Sequence, residues 1–484
     1  MEAGRSKQVG RNVLVTLATQ LVSWGLAFAV TLYLPRYVGP AGLGNLAIAA
    51  SVVAIFGVFV PLGTSTVLVR EIARDRSRTG ELLAAALLLR LPLGLLMGLL
   101  AVTAAFLLHD SPLLRLLVAV AAAGMFVGAL NDALSAALQG QENMTRQSAA
   151  VLVEKFLSSG LTIYLVIVHA PLWTLAAVAL FTGAVSLVIN ATAFRRLLPT
   201  LRWPSLGAMR ALAVAGMPFM GWAVFRTLYS QTDPVVLKLI ASAVTVGWYA
   251  AASRLVGTSL FLPAAITTAL LPTLSRLHRE DVAEFRHLAR RMLCLVMLCG
   301  IPVSLTLLLV PGRIIEMLHY PAGFAGTVPV LRVGGLGVLL YYAAMALGTA
   351  VIAADGENKM MRVSAFATVL SIPACAAGAL LTAHFWRNGA IGAIGSDAAV
   401  EVYLVSSYLR MLPARTFIGE NVVFLGRCVA ASLPMAALLA WSSHRLGFWI
   451  IAPCGLVYAV MCLLLRCVSA QDLAMARQIL ARKA

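Results

Sequence analysis

Five basic side chains, Arg90, Lys155, Arg226, Arg254 and Arg332, sit inside otherwise apolar stretches, and the acid Asp233 joins them. A cation at the centre of a bilayer costs about 2.5–3.5 kcal/mol on an insertion scale, whereas each Leu or Val returns only about 0.3–0.6 kcal/mol. Residues kept there should line a protected cavity and meet something anionic. One stretch orders them further: Trp222, Arg226, Tyr229 and Asp233 recur at intervals of four, three and four, which sets aromatic, cationic and acidic groups on one helix face. Such a stripe reads as a cavity wall, or as an interfacial aromatic belt whose Arg and Asp pair along the helix.

Depth separates these cations. Arg90 lies 12 residues beyond Arg78, about 18 Å at 1.5 Å per residue, which is near the midplane and too deep to snorkel easily. It reads as facing a cavity, with a structural ion pair to Asp132 as the alternative. Lys155 is nine residues from Arg146, so its flexible stem reaches the inner interface equally well. Arg254 and Arg332 fall close to the outer surface, where snorkelling competes with ligand binding. Asp397 and Glu401 are one turn apart, and like-charge repulsion between them would create a proton site; with Asp132 they are the coupling-ion candidates, against neutralisation by nearby cations.

The elements that must hold these residues are transmembrane helices. Of 484 residues, 61% are hydrophobic and 12% charged, about half the charged share of a soluble domain. Fourteen apolar runs, each long enough for an α-helix to cross about 30 Å of hydrocarbon, fall near 12–35, 43–67, 82–108, 112–138, 148–169, 172–194, 211–233, 247–271, 289–310, 328–353, 363–384, 388–409, 428–443 and 447–465. The fold class expected is an all-α polytopic membrane protein. The stretch Pro234–Leu271 is too long for one span and too short for two, so the eighth span is placed at its C-terminal end. Pro218, Pro263, Pro302 and Pro373 fall inside spans, where neighbours can compensate a kink.

A net charge of +18 would suit nucleic acid if it were clustered with aromatics, and it is not. With a cytoplasmic N-terminus, the inner segments carry 26 Lys and Arg and the outer connections only six, at Arg36, Arg115, Lys238, Arg313, Arg387 and Arg445. This is the positive-inside bias and places both termini in the cytoplasm. The basic inner face would also attract anionic membrane lipids. The polar opening runs into a full-length span with no small-residue cleavage site after it, so that span is expected to stay as an anchor. Seven cysteines lie in apolar C-terminal stretches without CxxC spacing and read as packing residues, not as a disulfide or metal site.

No connection is long enough to fold alone, so activity must reside between the spans. The chain has no Walker P-loop, HExxH, GxSxG or dinucleotide fingerprint. ATP hydrolysis and enzymatic function are not expected, nor is a cofactor. Transport would then draw on an ion gradient, the membrane potential or the substrate's own gradient.

Self-similarity at an offset of 203 residues relates Gly44-Asn-Leu-Ala-Ile-Ala to Gly247-Trp-Tyr-Ala-Ala-Ala, each entering a span that leads to a basic inner segment. Two six-helix bundles related by an axis along the membrane normal are expected, over residues 1–210 and 211–427, with two added helices in 428–484. The run Leu34-Pro-Arg-Tyr-Val-Gly-Pro-Ala-Gly-Leu-Gly-Asn45, Val69-Arg-Glu-Ile-Ala73, Tyr229-Ser-Gln-Thr-Asp233, Val246–Leu255 with its Gly-Trp-Tyr-Ala-Ala-Ala-Ser-Arg, Leu271–Ser275, and Ala354-Asp-Gly-Glu-Asn-Lys359 resemble the bacterial polysaccharide flippases of the O-antigen type. These belong to the multidrug/oligosaccharidyl-lipid/polysaccharide exporter superfamily.

The resemblance spans nearly the whole chain. It implies a two-lobed transporter in the bacterial inner membrane that moves an undecaprenyl-diphosphate-linked oligosaccharide between leaflets, working beside other polysaccharide-assembly membrane proteins. Cations would then meet the diphosphate, while Trp222, Tyr229 and Asp233 meet sugar. Arg36 matches the family pattern after span one, as an outer gate or cavity-mouth residue, and Arg70 matches it as an inner anchor. A multidrug or cation antiporter, a peptidoglycan-precursor flippase and a membrane polymerase or ligase remain open; the scarcity of acids in span one disfavours a cation carrier.

Overall fold

A computed structural model describes the chain except for residues 1, 109, 143, 195–202, 414–415, 417–418, 443–450, 466 and 468–484. Among the described residues every regular element is helical, as expected where lipid leaves no water to satisfy an open backbone. Eleven of the helices are long and apolar enough to cross a membrane. Each of the fourteen apolar runs has a helix among the described residues: α1 (Glu2–Gly57) contains the first and most of the second, α14 (Gly389–Met411) is less apolar because it carries Asp397 and Glu401, and α16 (Ile451–Leu464), which holds the described part of the last, is short.

The chain divides into two compact units, Met1–Ala250 and Ala251–Ala484. The first contains α1, α2 (Thr64–Arg74), α3 (Thr79–Leu107), α4 (Pro112–Gly140), α5 (Met144–Ile167), α6 (Leu172–Ala193) and α7 (Leu206–Ile240). Its core is built from Leu68, Ile72, Leu83, Ala86, Ala133, Ala137, Phe194 and Leu212. The alanines let α2, α3 and α4 approach closely, which is how apolar helices associate when lipid removes the hydrophobic drive. The unit boundary falls inside α8 (Ala243–Ser259).

The second unit continues with α9 (Phe261–Glu280), α10 (Val282–Leu309), the short α11 (Pro311–Met317), α12 (Thr327–Ala353), α13 (Glu357–Trp386), α14, α15 (Gly419–Ser442) and α16. Buried Cys428, Cys454, Cys462 and Cys467 pack with Ile301, Met435 and Leu439, fastening the last two helices to α10. The Tyr458 hydroxyl donates to the Leu298 carbonyl across that seam.

Helix starts follow local chemistry. Ser111, Ser205 and Asn388 accept from Leu114 N, Ala208 N and Ala390 N, and Asp281 accepts from Ala283 N and Glu284 N. Two spans depart from the sequence expectation. The second run, expected over 43–67, stops at Gly57; a turn ends at Gly63, whose φ of 67° is left-handed, and α2 restarts at Thr64. Gly39 (φ 66°, ψ 177°) between Pro35 and Pro40 kinks α1 between its two legs. The eighth span starts at Ala243 rather than Gly247 and runs on into α9, interrupted only at Leu260, because the whole stretch from 243 to 280 sustains helix.

Candidate functional site

Arg90, on α3, is wholly buried. Its Nη1 lies 3.0 Å from Asp132 Oδ2 and donates to the Ala129 carbonyl at 2.6 Å; its Nη2 donates to Ser65 Oγ at 2.8 Å. Ser65 Oγ in turn donates to Asp132 Oδ2 at 2.5 Å. Ser65 opens α2 just after the interrupted second span, so the network ties that interruption to α3 and α4. The Asp132 side chain is 49% exposed; the surface of this group is therefore acidic, and the cation is its interior. The ion pair with Asp132 left open by the sequence is present, and Ser65 is a partner that residue spacing did not reveal.

The α7 stripe is polarised along its length. The Arg226 guanidinium stacks over the Trp222 ring, 5.3 Å from its centroid, and both side chains are exposed. Among the described residues no carboxylate lies within ion-pair distance of Arg226. Asp233, two turns on, is 3% exposed and accepts from the Tyr249 hydroxyl at 2.5 Å; it does not pair with Arg226 along the helix. Tyr229 is half-buried.

Two further ties hold the end of α7: Ser51 Oγ donates to Gln231 Oε1 at 2.9 Å, and Lys238 forms a buried ion pair with Asp110. Neither was legible in advance, since their partners lie more than a hundred residues away. In the N-terminal half of α7, Gly216 receives the Leu62–Gly63 turn so closely that a Cβ on either glycine would meet the opposing backbone.

The remaining candidates are dispersed. Arg36 is half-buried, its guanidinium 5.0 Å from the Tyr33 ring centroid, and Lys155 is exposed. Arg254, Arg332, Asp397 and Glu401 belong to the second unit. Arg254 and Asp397 are half-buried, Arg332 is exposed, and Glu401 is buried at 4%. Among the described residues no cluster of three metal-ligating side chains occurs, and the cysteines are free thiols.

Among the described residues the chain is all-helical and polytopic, with charged side chains within its spans. The family described as polysaccharide biosynthesis protein matches residues 9–278, more than half of the chain, and the family named MatE matches residues 218–377. The fold is similar to that of a solved lipid II flippase, MurJ, in an inward closed conformation: TM-score 0.75 at 14% identity, covering 96% of this chain and 100% of that one. It is also similar to an inward-facing multidrug resistance MATE family transporter of the MOP superfamily, with TM-score 0.63 at 15% identity, covering 80% of this chain and 94% of that one. A search of curated proteins found no significant match. The chain belongs to the polysaccharide biosynthesis protein family, within the multidrug/oligosaccharidyl-lipid/polysaccharide exporter superfamily of flippases and transporters.

Proposed function

We propose that this protein flips an undecaprenyl-diphosphate-linked oligosaccharide from the inner to the outer leaflet of the bacterial cytoplasmic membrane, for O-antigen-type surface polysaccharide. The observation that carries the reading is the exposed Trp222–Arg226 stack. Arg226 lies 20 residues into the 35-residue α7, about 30 Å along it, where a cation exposed to hydrocarbon is costly unless water or an anion meets it. A diphosphate supplies that anion through charge-assisted hydrogen bonds. The stacked indole offers sugar an apolar face, and the polyprenyl tail stays in lipid.

Arg226 and Trp222 lead this site, with Tyr229 beside them. Arg36, Lys155, Arg254 and Arg332 are secondary contacts along the route, and Arg90 acts through Asp132 rather than by touching ligand. Asp132, Asp397 and Glu401 are the groups for ion coupling. Two repeats, over 1–210 and 211–427, alternate access with both termini cytoplasmic. Moving a dianion outward through 100 mV gains about 4–5 kcal/mol, unless the empty basic carrier returns the same charge through the field.

The test is mass spectrometry of lipid-linked oligosaccharides in a deletion strain. Accumulation of a diphosphate-linked oligosaccharide supports the assignment, and unchanged pools overturn it. Accumulation of the peptidoglycan precursor would move the assignment to that substrate. Drug extrusion by the purified protein would favour the multidrug reading, and glycosidic bond formation in vitro a polymerase or ligase.

A further inference from the structure

Inside the second compact unit, the turn that joins α9 to α10 concentrates positive charge. Between Ser275 and Met292 the chain carries five arginines and two histidines against three acids. The acids are engaged or turned aside. Asp281 caps α10 by accepting from Ala283 N at 2.8 Å and Glu284 N at 3.2 Å, and Glu280 lies 3.9 Å from Arg276. Glu284, two residues before Arg286, occupies a different side of the helix. On α9, Arg279 has its own carboxylate, Asp355, at 3.5 Å. Arg286 differs: it is half-buried, its Nε is enclosed, and it makes no hydrogen bond or ion pair among the described residues.

The surrounding packing fixes where that guanidinium lies. Phe285, Ala289 and Met292 form the buried face of α10, and the Phe285 ring meets the His278 ring of α9 edge-on, 5.0 Å between centroids. Arg286 and Arg290 each follow a buried residue by one position and are one turn apart, so they share the edge that borders this face. Like charges at that spacing repel on a bare helix. Beyond them, Met292–Leu309 holds no charged residue. Its 18 residues span about 27 Å, close to the thickness of the hydrocarbon core. Arg290 therefore sits at the hydrocarbon edge and Arg286 about 9 Å outside the start of that run, so the pair brackets the headgroup layer.

We infer that the Arg286–Arg290 edge of α10 is a binding site for the phosphate of an anionic membrane lipid. A guanidinium that is partly desolvated and has no acceptor carries an uncompensated cost, and a phosphate offsets it with charge-assisted, two-pronged hydrogen bonds. The apolar run that starts at Met292 gives the acyl chains of the same lipid a surface one turn away. A basic face attracts anionic lipid diffusely; a half-buried cation beside a packed seam holds one molecule in one place. In the proposed topology the leaflet is the inner one. The inference does not depend on which substrate is transported.

Native mass spectrometry of the full chain in detergent, titrated with dioleoylphosphatidylglycerol, tests the site and is indifferent to orientation in the membrane. The wild type should retain one lipid at least about 10-fold more tightly than dioleoylphosphatidylcholine, whose phosphate is neutralised by its own choline. Arg286→Gln should weaken retention of phosphatidylglycerol by about 10-fold or more, the equivalent of one charge-assisted hydrogen bond. Arg74→Gln removes the same charge from a side chain that is 68% exposed and paired with Glu71, and should match the wild type. Equal losses in the two variants would reduce the effect to diffuse attraction and overturn the site. Should Arg286→Gln not fold, a wild type that holds the two lipids equally well overturns it too. Inorganic phosphate that displaces phosphatidylglycerol at equal concentration would overturn the assignment to a lipid.

Discussion

Arg90 and Asp132 share one ion pair unequally: the guanidinium is wholly buried, while the carboxylate 3.0 Å away is half exposed. The arrangement follows from arginine chemistry. A guanidinium cannot shed its proton to escape burial, so it needs a fixed anion and several acceptors, and Asp132, the Ala129 carbonyl and Ser65 supply them.

Removing the anion should therefore cost more than removing the pair. Asp132→Ala leaves a buried cation and is expected to destabilise by about 2–3 kcal/mol, below the usual figure for a fully buried pair because the carboxylate is half solvated. Arg90→Met combined with Asp132→Ala should recover part of that loss. Thermal unfolding in detergent measures both, and a double variant no better than Asp132→Ala would show that the charge is not what matters.

Arg226 makes the opposite kind of contact, exposed and stacked on one aromatic ring. Arg226→Ala should leave thermal stability unchanged and lower flipping of a diphosphate lipid in vesicles by roughly 10- to 100-fold, the equivalent of one charge-assisted hydrogen bond. Arg226→Lys should recover only part of the rate, since an ammonium keeps the charge but loses the planar stack. Wild-type rates in Arg226→Ala would remove this residue from the site.

Tyr249→Phe takes one donor from the buried Asp233 carboxylate. Leaving a buried acid one partner short is expected to cost about 1–3 kcal/mol. Asp233→Asn, which keeps an acceptor for the hydroxyl, should cost less. Unfolding curves that rank the two variants in reverse would mean that the hydroxyl is not what holds the acid.

Two glycines three residues apart on α14, Gly392 and Gly395, should respond differently to alanine. A Cβ on Gly392 would enter the Gly378 carbonyl and lie 2.6 Å from Thr382 Oγ1, whereas one on Gly395 meets only Val333 at 3.7 Å, an ordinary contact. Gly392→Ala should destabilise by about 1–3 kcal/mol through overpacking of α13 on α14, with Gly395→Ala near neutral. Equal effects would refute backbone contact as the reason for the spacing.

Outside the spans, Asp75 accepts from the Ser77 hydroxyl at 2.6 Å and its backbone nitrogen at 3.0 Å, and these bonds hold its carboxyl below the usual carboxylate range. A depressed folded-state value contributes stability above the unfolded value and loses it as pH falls through the folded one. The protection factor of the Ser77 amide, its exchange relative to the intrinsic rate at each pH, should fall over that acid window and stay level in Asp75→Asn. A protection factor that does not change with pH in the wild type would rule the link out.

Much of this protein was readable in its composition. The apolar runs set the helices, because a backbone in lipid has to satisfy its own hydrogen bonds within each span. The 203-residue offset raised the expectation of two related halves, and the cost of intramembrane charge singled out Arg90 and Arg226. Spacing could also rank them by depth. It could not tell which way either one faced.

That was decided by partners far along the chain. Arg90 on α3 meets Asp132 on α4 because those helices pack on small residues, and Asp233 on α7 meets Tyr249 on α8. Local periodicity fixes which side of a helix a residue occupies, and hydropathy fixes whether that helix enters the membrane. Neither carries information about which neighbour covers that side. Whether a buried charge becomes an internal pair or an open contact is settled only when the spans pack.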